Sequence, residues 1–259
     1  MRRHLAIASL GSIALVTASL AAQQAPAPDP PVTRLGGFVR ASAPPGPVPR
    51  LPDGKPDLSG AWLGGGGGAD ITMNLVKGET MTLLPEARKI MAARQAKDDP
   101  TANCLPVPPF RTRGGYPWRI VTAPSYVFFL YEVMHGFRQV FMDGRKHPDD
   151  LDPSWYGHSI GSWDRDTLVI DTVGYNDKTW LDGRGHPHSE QLHTVERYTR
   201  KSLGTMEMEI LIDDPGAYAK PFKVSWMVGL MPGEDLMEYI CQENNQDVQH
   251  IQGPSDTSR

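Results

Sequence analysis

Twelve residues, Gly185-His186-Pro187-His188-Ser189-Glu190-Gln191-Leu192-His193-Thr194-Val195-Glu196, hold three of the chain's eight histidines and two glutamates. In an extended backbone, side chains at i, i+2 and i+4 share a face. His186, His188 and Glu190 have that spacing, and Pro187 biases His186 toward the extended region. Imidazoles and a carboxylate gathered on one face can bind a metal or pass a proton. Continued parity adds Leu192, Thr194, Glu196 and Tyr198 to the same face, and Leu192 and Tyr198 mark it as the inner one. A buried carboxylate is costly unless paired, and burial raises its pKa toward the range of a general acid or base. His188, Glu190 and Glu196 are therefore the candidate catalytic groups. The competing structural reading is a polar rim loop in which Arg184 or Arg197 pairs with the glutamates.

His-x-His on a strand is also the spacing of zinc and cupin-type sites. It makes His186, His188 and His193 candidate metal ligands, and zinc or another divalent ion the candidate cofactor. The match is partial. Glu190 comes too early for the cupin spacing, and His193 rejoins the face of His188 only through a β-bulge.

The elements that must position these groups are mostly strands. From Trp118 onward the apolar period is two. Paired strands are expected at Ser125 to Val133 with Phe137 to Met142, and at Trp155 to Trp163 with Thr167 to Val173. Two further pairs are Gln191 to Arg200 with Thr205 to Ile212, and Phe222 to Leu230 with Leu236 to Gln242. Single strands are expected near Trp62 and at Trp118 to Val121. Pro85 to Lys97 is the one expected helix, with Pro85 in its first turn, Glu86 near the N-terminus, and Arg94 and Lys97 near the C-terminus. Gly64 to Gly68 lacks the Gly-Lys-Ser/Thr of a phosphate loop and reads as a flexible loop. The pattern predicts a mainly β fold, an antiparallel up-and-down β-barrel of about 8–10 strands with one helix inserted near residues 85–97. A two-sheet jelly roll is the alternative, with residues 143–154, 174–190 and 213–221 as its crossovers.

Around this frame lie candidate substrate-binding residues. His135 is at a turn and Arg138 is on the strand after it, where a guanidinium can hold a carboxylate or phosphate. Tyr156 and His158 share one face of their strand. Asp171, Tyr175, Asn176, Asp177 and Trp180 lead from a strand end toward the histidine loop. Tyr198 and Tyr239 complete the set, and Arg111, Arg113 and Tyr116 are available from the Pro/Gly-rich loop after Cys104. Aromatic faces with fixed polar groups suit sugar or aryl ligands, although the same residues also serve packing alone.

Residues 1–22 read as a signal peptide. Arg2 and Arg3 precede an apolar run from Leu5 to Leu20 and small residues at the cleavage point. The expected location is therefore periplasmic or secreted, with no membrane insertion after cleavage. Residues 23–56 are proline-rich and read as an extended arm, and residues 57–259 as a single domain. The formal charge is −4, from 26 basic and 30 acidic residues, and the chain has no basic run. That balance makes the chain a poor candidate for binding nucleic acid or anionic membranes, and no nucleic-acid partner is expected. The two cysteines, Cys104 and Cys241, pair by default in an oxidising compartment, and the long loop they close contributes roughly 4–5 kcal/mol.

Several phrases resemble a group of uncharacterised exported bacterial proteins. They are Asp53-Gly54-Lys55-Pro56-Asp57-Leu58-Ser59-Gly60, Lys97-Asp98-Asp99-Pro100-Thr101-Ala102-Asn103-Cys104-Leu105-Pro106, Arg138-Gln139-Val140-Phe141-Met142-Asp143-Gly144-Arg145 and His186-Pro187-His188-Ser189-Glu190. The resemblance implies export and a single domain, and carries no activity. Gly60-Ala61-Trp62 and Gly161-Ser162-Trp163 resemble the Gly-x-Trp that closes lipocalin-type barrels.

The Gly-x-Ser-x-Gly letters of Gly157-His158-Ser159-Ile160-Gly161 fall inside the expected strand Trp155 to Trp163 and not at a strand-to-helix elbow, and there is no Gly-x-Gly-x-x-Gly in a βαβ unit, which disfavours serine hydrolases and nicotinamide enzymes. The function expected from these residues is an exported lyase or hydrolase acting on a small carbohydrate or aryl glycoside through a His/Glu cluster, with or without metal. The alternative is a non-catalytic, lipocalin-like protein that binds a small apolar ligand. Either way the expected partner is a small molecule or oligosaccharide.

Overall fold

The computed structural model describes residues 32–35, 38–41, 43, 45–66, 68–243, 245, 251 and 253. The expected signal peptide lies outside the described residues. Among them, no helix is long and apolar enough to cross a membrane.

Nine strands close into a barrel, mostly antiparallel. They are β3 (Gly60–Leu63), β4 (Trp118–Ala123), β5 (Tyr126–Tyr131), β6 (Phe137–Phe141), β7 (His158–Asp164), β8 (Thr167–Val173), β9 (His193–Arg200), β10 (Thr205–Asp213) and β11 (Phe222–Leu230). Burial alternates residue by residue along β8, β9 and β10, as a strand with one face in a core and one in water requires. Closure comes where β11 meets β3, through Gly229 opposite Leu63 and Leu230 opposite Trp62. Trp62 is fully buried there. The Arg200 guanidinium lies over its ring at 5.1 Å and donates to the backbone carbonyls of Asp57 and Leu203. From Trp62 an aromatic column runs through Trp118 and Phe129 to Tyr198.

One step departs from up-and-down order. β6 and β7 are parallel and touch at only two positions, Val140 opposite Ser159 and Phe141 opposite Ile160. Parallel neighbours begin at the same end, so residues 142–157 must travel back along the barrel wall. The expected strand Leu236 to Gln242 does not form. β11 already has β10 and β3 as neighbours, so no free edge remains for it. That segment instead crosses the outside, where Met237 N donates to Glu132 and Tyr239 N to His135.

The two barrel ends differ. One end is closed by short turns, such as Asp164 to Thr167 and Arg200 to Thr205. The other carries the long excursions 64–117, 174–192 and 214–221, which fold over it as a cap. Helix α1 (Pro85–Ala93) lies in the first of these and is shorter than expected. Arg94 breaks the helix in an extended conformation, places its guanidinium over Trp180 at 4.8 Å and donates to Gly185 O. A short second helix, α2 (Pro109–Thr112), follows.

The glycine run serves packing. A Cβ on Gly66 would lie 2.2 Å from Gly114 N, and one on Gly183 would lie 3.0 Å from Gly68 O. Gly66 and Gly68 therefore hold two backbones in contact and are not a loose loop. The proline-rich arm also holds more structure than expected. β1 (Val32–Leu35) and β2 (Phe38–Ala41) form a hairpin apart from the barrel, and Arg50 pairs with Asp166 on it.

Candidate functional site

Strand parity along β9 sends Thr194, Glu196, Tyr198 and Arg200 inward and His193, Val195 and Arg197 outward. Glu196 is fully buried and meets two equally buried arginines. Oε1 lies 2.6 Å from Arg138 Nη1, and Oε2 lies 3.2 Å from Arg113 Nη2. The Tyr198 hydroxyl donates to Glu196 at 2.5 Å and accepts from Arg113. Arg138 also donates to Ser159 at 2.9 Å and to Thr172 at 2.6 Å. Burial alone would raise the Glu196 pKa, but the guanidinium groups of Arg138 and Arg113 outweigh it and hold the carboxyl below its usual range. A carboxylate locked ionised between two cations is poorly suited to exchange protons near neutrality. Arg138 and Tyr198 are taken up by the same cluster.

The histidine loop is tied into the cap. Asp182 is its hub. Its Oδ2 accepts from Ile71 N at 2.8 Å and from His186 Nδ1 at 2.6 Å, and its Oδ1 accepts from Arg184 N and His186 N. Asp70, Asp182 and His186 bring one ligand atom each to within 4.8 Å of one another, a grouping that can hold a cation. Both Asp182 oxygens are already hydrogen-bonded, and Arg184 lies 3.3 Å from Asp70. His188 donates through Nδ1 to Ser189 O at 3.2 Å, so its Nε2 accepts from the Thr179 hydroxyl at 2.6 Å. Burial keeps its pKa below the ordinary imidazole value, and it stays neutral. Ser189 is anchored by Asp214 and Pro187 O by the Tyr218 hydroxyl. Glu190, beyond these ties, is exposed on a turn. Asn176 caps its own turn through Lys178 N, and Trp180 is buried beneath Arg94.

The 174–192 loop thus separates what the spacing had grouped. His186 belongs to Asp182, His188 to Thr179, Glu196 to the barrel interior, and His193 to the outer wall. On that wall His193 Nε2 lies 2.9 Å from Asp171 Oδ2, while His147 Nε2 lies 2.9 Å from Oδ1. His147 Nδ1 then meets His158 Nδ1 at 2.8 Å. Asp171 raises the pKa of His193 by its hydrogen bond, whereas burial, with His147 nearby, lowers that of His158. His158 also stacks on Phe141 at 5.0 Å and lines, with Tyr156, a cleft of about 310 Å³ along the β6–β7 seam.

Cys104 and Cys241 form a disulfide, and at the cap end a second pocket of about 330 Å³ opens. Thr101, Arg111, Thr112, Tyr116, Met134 and Tyr239 line it. Tyr116 and Tyr239 meet edge to face at 5.6 Å. Arg111 is buried. Asp99 takes its Nη2, while Nη1 has no hydrogen-bond partner among the described residues. His135, next to the pocket-lining Met134, accepts from Tyr239 N at 3.1 Å. Met134 and His135 both have positive φ, 60° and 45°, a conformation L side chains rarely adopt.

No protein-family model matches the chain, and neither does any curated protein or solved structure. Of the residues expected to bind substrate, the structure brings Tyr239 to the cap pocket, with His135 bonded to its backbone, and Arg138, Tyr156 and His158 to the seam cleft. The Arg138 guanidinium and Tyr198 are held in the interior cluster, and Asn176 and Trp180 are in the cap. Sequence reasoning missed His147, Asp70 and Asp182. Asp182 could have been suspected from its i+4 spacing to His186 across two glycines. His147 gave no local signal.

Proposed function

We propose that this exported barrel protein binds a small planar or aromatic molecule bearing a carboxylate or similar oxyanion in the cap pocket. The reading rests on Arg111, a residue lining that pocket, whose buried Nη1 has no hydrogen-bond partner among the described residues. A buried guanidinium donor left unpaired is unfavourable, and a ligand carboxylate would complete its fork. Tyr116 and Tyr239 offer the flat apolar faces that orient an aryl ring, and a volume of about 330 Å³ lies at the small end of ligand sites. The disulfide ties Cys241, two residues from Tyr239, to Cys104, which restrains the Tyr239 wall.

This is the binding-protein alternative with two changes. The ligand is acidic as well as apolar, and it sits at the cap, because Trp62, Trp118, Phe129 and the Glu196 cluster occupy the barrel interior. Lyase or hydrolase chemistry is the second reading, now favoured by one dyad. Asp182 fixes the His186 ring through Nδ1, which leaves Nε2 as a base. A thermal-shift panel separates the two. Benzoate-type acids should raise Tm while equally sized neutral aryl alcohols and sugars do not. No response to any aryl acid contradicts the binding reading, and turnover of an aryl glycoside that His186→Gln abolishes supports the enzyme.

A further inference from the structure

We propose that His147, Asp171 and His193 form a site for a borderline divalent transition ion, Zn²⁺ or Cu²⁺, on the outer wall of the barrel. Four separate elements deliver the groups: His147 from the 142–157 crossover, His158 from β7, Asp171 from β8 and His193 from β9. The contacts run in sequence at 2.8, 2.9 and 2.9 Å, from His158 to His147, to Asp171 and to His193. Imidazole nitrogen and carboxylate oxygen are the donors such ions take, at about 2.0–2.2 Å. Each Nε2 now donates to one oxygen of Asp171. An ion between the rings shifts each ring's proton from Nε2 to Nδ1, where His147 then donates it to His158 Nδ1, and needs the rings to swing inward. Both can do so, because the side chains of His147 and His193 are 20 % and 36 % exposed and His147 is on a loop. His158 stands behind His147 on its other ring nitrogen, the position from which an outer partner fixes a ligand's tautomer.

The wall site differs from Asp70, Asp182 and His186 in one decisive respect. There the Asp182 oxygens are filled by backbone and ring N–H groups, and Arg184 already supplies Asp70 with a cation. On the wall, the side-chain partners of Asp171 are the two imidazoles, which are themselves metal ligands.

The test is titration of tag-free, metal-stripped full-length protein with ZnCl₂ by calorimetry and with CuCl₂ by electron paramagnetic resonance. One ion per chain is expected, with copper hyperfine structure from two imidazole nitrogens and a rise in Tm on adding zinc. His147→Gln with His193→Gln should abolish both, and so should Asp171→Asn, which leaves the imidazoles in place. His158→Gln should weaken affinity roughly 10- to 100-fold. Because these side chains are on the outer wall, circular dichroism of the metal-free variants should match wild type. Failure of wild type to bind, or binding that survives the double substitution, overturns the proposal.

Discussion

Replacing Glu196 by Gln removes the single negative charge that faces Arg113 and Arg138 inside the barrel. Both arginine side chains are at most 1 % exposed, and Glu196 is at 0 %. The amide keeps the shape and can still accept from Tyr198, so packing changes little and the effect is electrostatic. Breaking a buried pair by removing one partner costs about 3–5 kcal/mol, because the remaining charge is left uncompensated. Here two cations are stranded, which puts the expected loss at the upper end of that range. For a domain of this size, each kcal/mol corresponds to roughly 2–4 °C, so a loss of about 5 kcal/mol should lower Tm by about 10–20 °C. Urea denaturation followed by tryptophan fluorescence, with Trp62 and Trp118 close to the cluster, provides the assay. Adding Arg138→Met to Glu196→Gln should recover part of the loss, since one stranded charge is removed. A loss below about 1 kcal/mol for Glu196→Gln, within the range of ordinary surface substitutions, would refute the ion-cluster account.

Other outcomes follow from the same geometry. The folded-state pKa of Glu196 is depressed below its ordinary 4.5, so its stabilisation is present above that value and lost as pH falls through the folded pKa. The stability gap between wild type and Glu196→Gln should accordingly narrow in acid, as paired denaturation curves would show. His188 is held neutral below its ordinary 6.5, so acid favours the unfolded chain from about that pH downward. His188→Asn should flatten this part of the wild-type stability profile. Gly66→Ala places a Cβ against the Gly114 backbone and should cost about 1–3 kcal/mol, read as a lower urea midpoint. Cys104→Ser with Cys241→Ser opens a link across 137 positions, and should cost about 4–5 kcal/mol and loosen the cap pocket.

Much of the barrel was legible because its signals are local. Period-two burial on β8, β9 and β10 and short polar turns identify hairpins without reference to distant residues. The inward set Thr194, Glu196 and Tyr198 follows from parity alone once Tyr198 marks the core side. Parity beyond the strand was less informative. His186, His188 and Glu190 precede β9, which begins at His193, and there the backbone winds around Asp182 and Asp214 instead of alternating. The β6–β7 crossover and the missing tenth barrel strand are matters of topology: residues 236–242 have strand composition, yet closure leaves them no edge. The charged partners of Glu196 come from residues 113 and 138, and the wall histidines meet through Asp171. Such long-range pairings leave no trace in spacing.

The claim that the cap pocket receives an aryl oxyanion rests on one guanidinium. Isothermal titration of benzoate into wild type and Arg111→Lys tests it most directly. Lysine keeps the charge and can still pair with Asp99, but it lacks the second donor of the fork. Losing one charge-assisted hydrogen bond of about 1.5–3 kcal/mol predicts affinity roughly 10- to 150-fold weaker in the variant, with Tm before ligand addition nearly unchanged. Equal affinity in the two proteins, or no benzoate binding by wild type, would contradict the account.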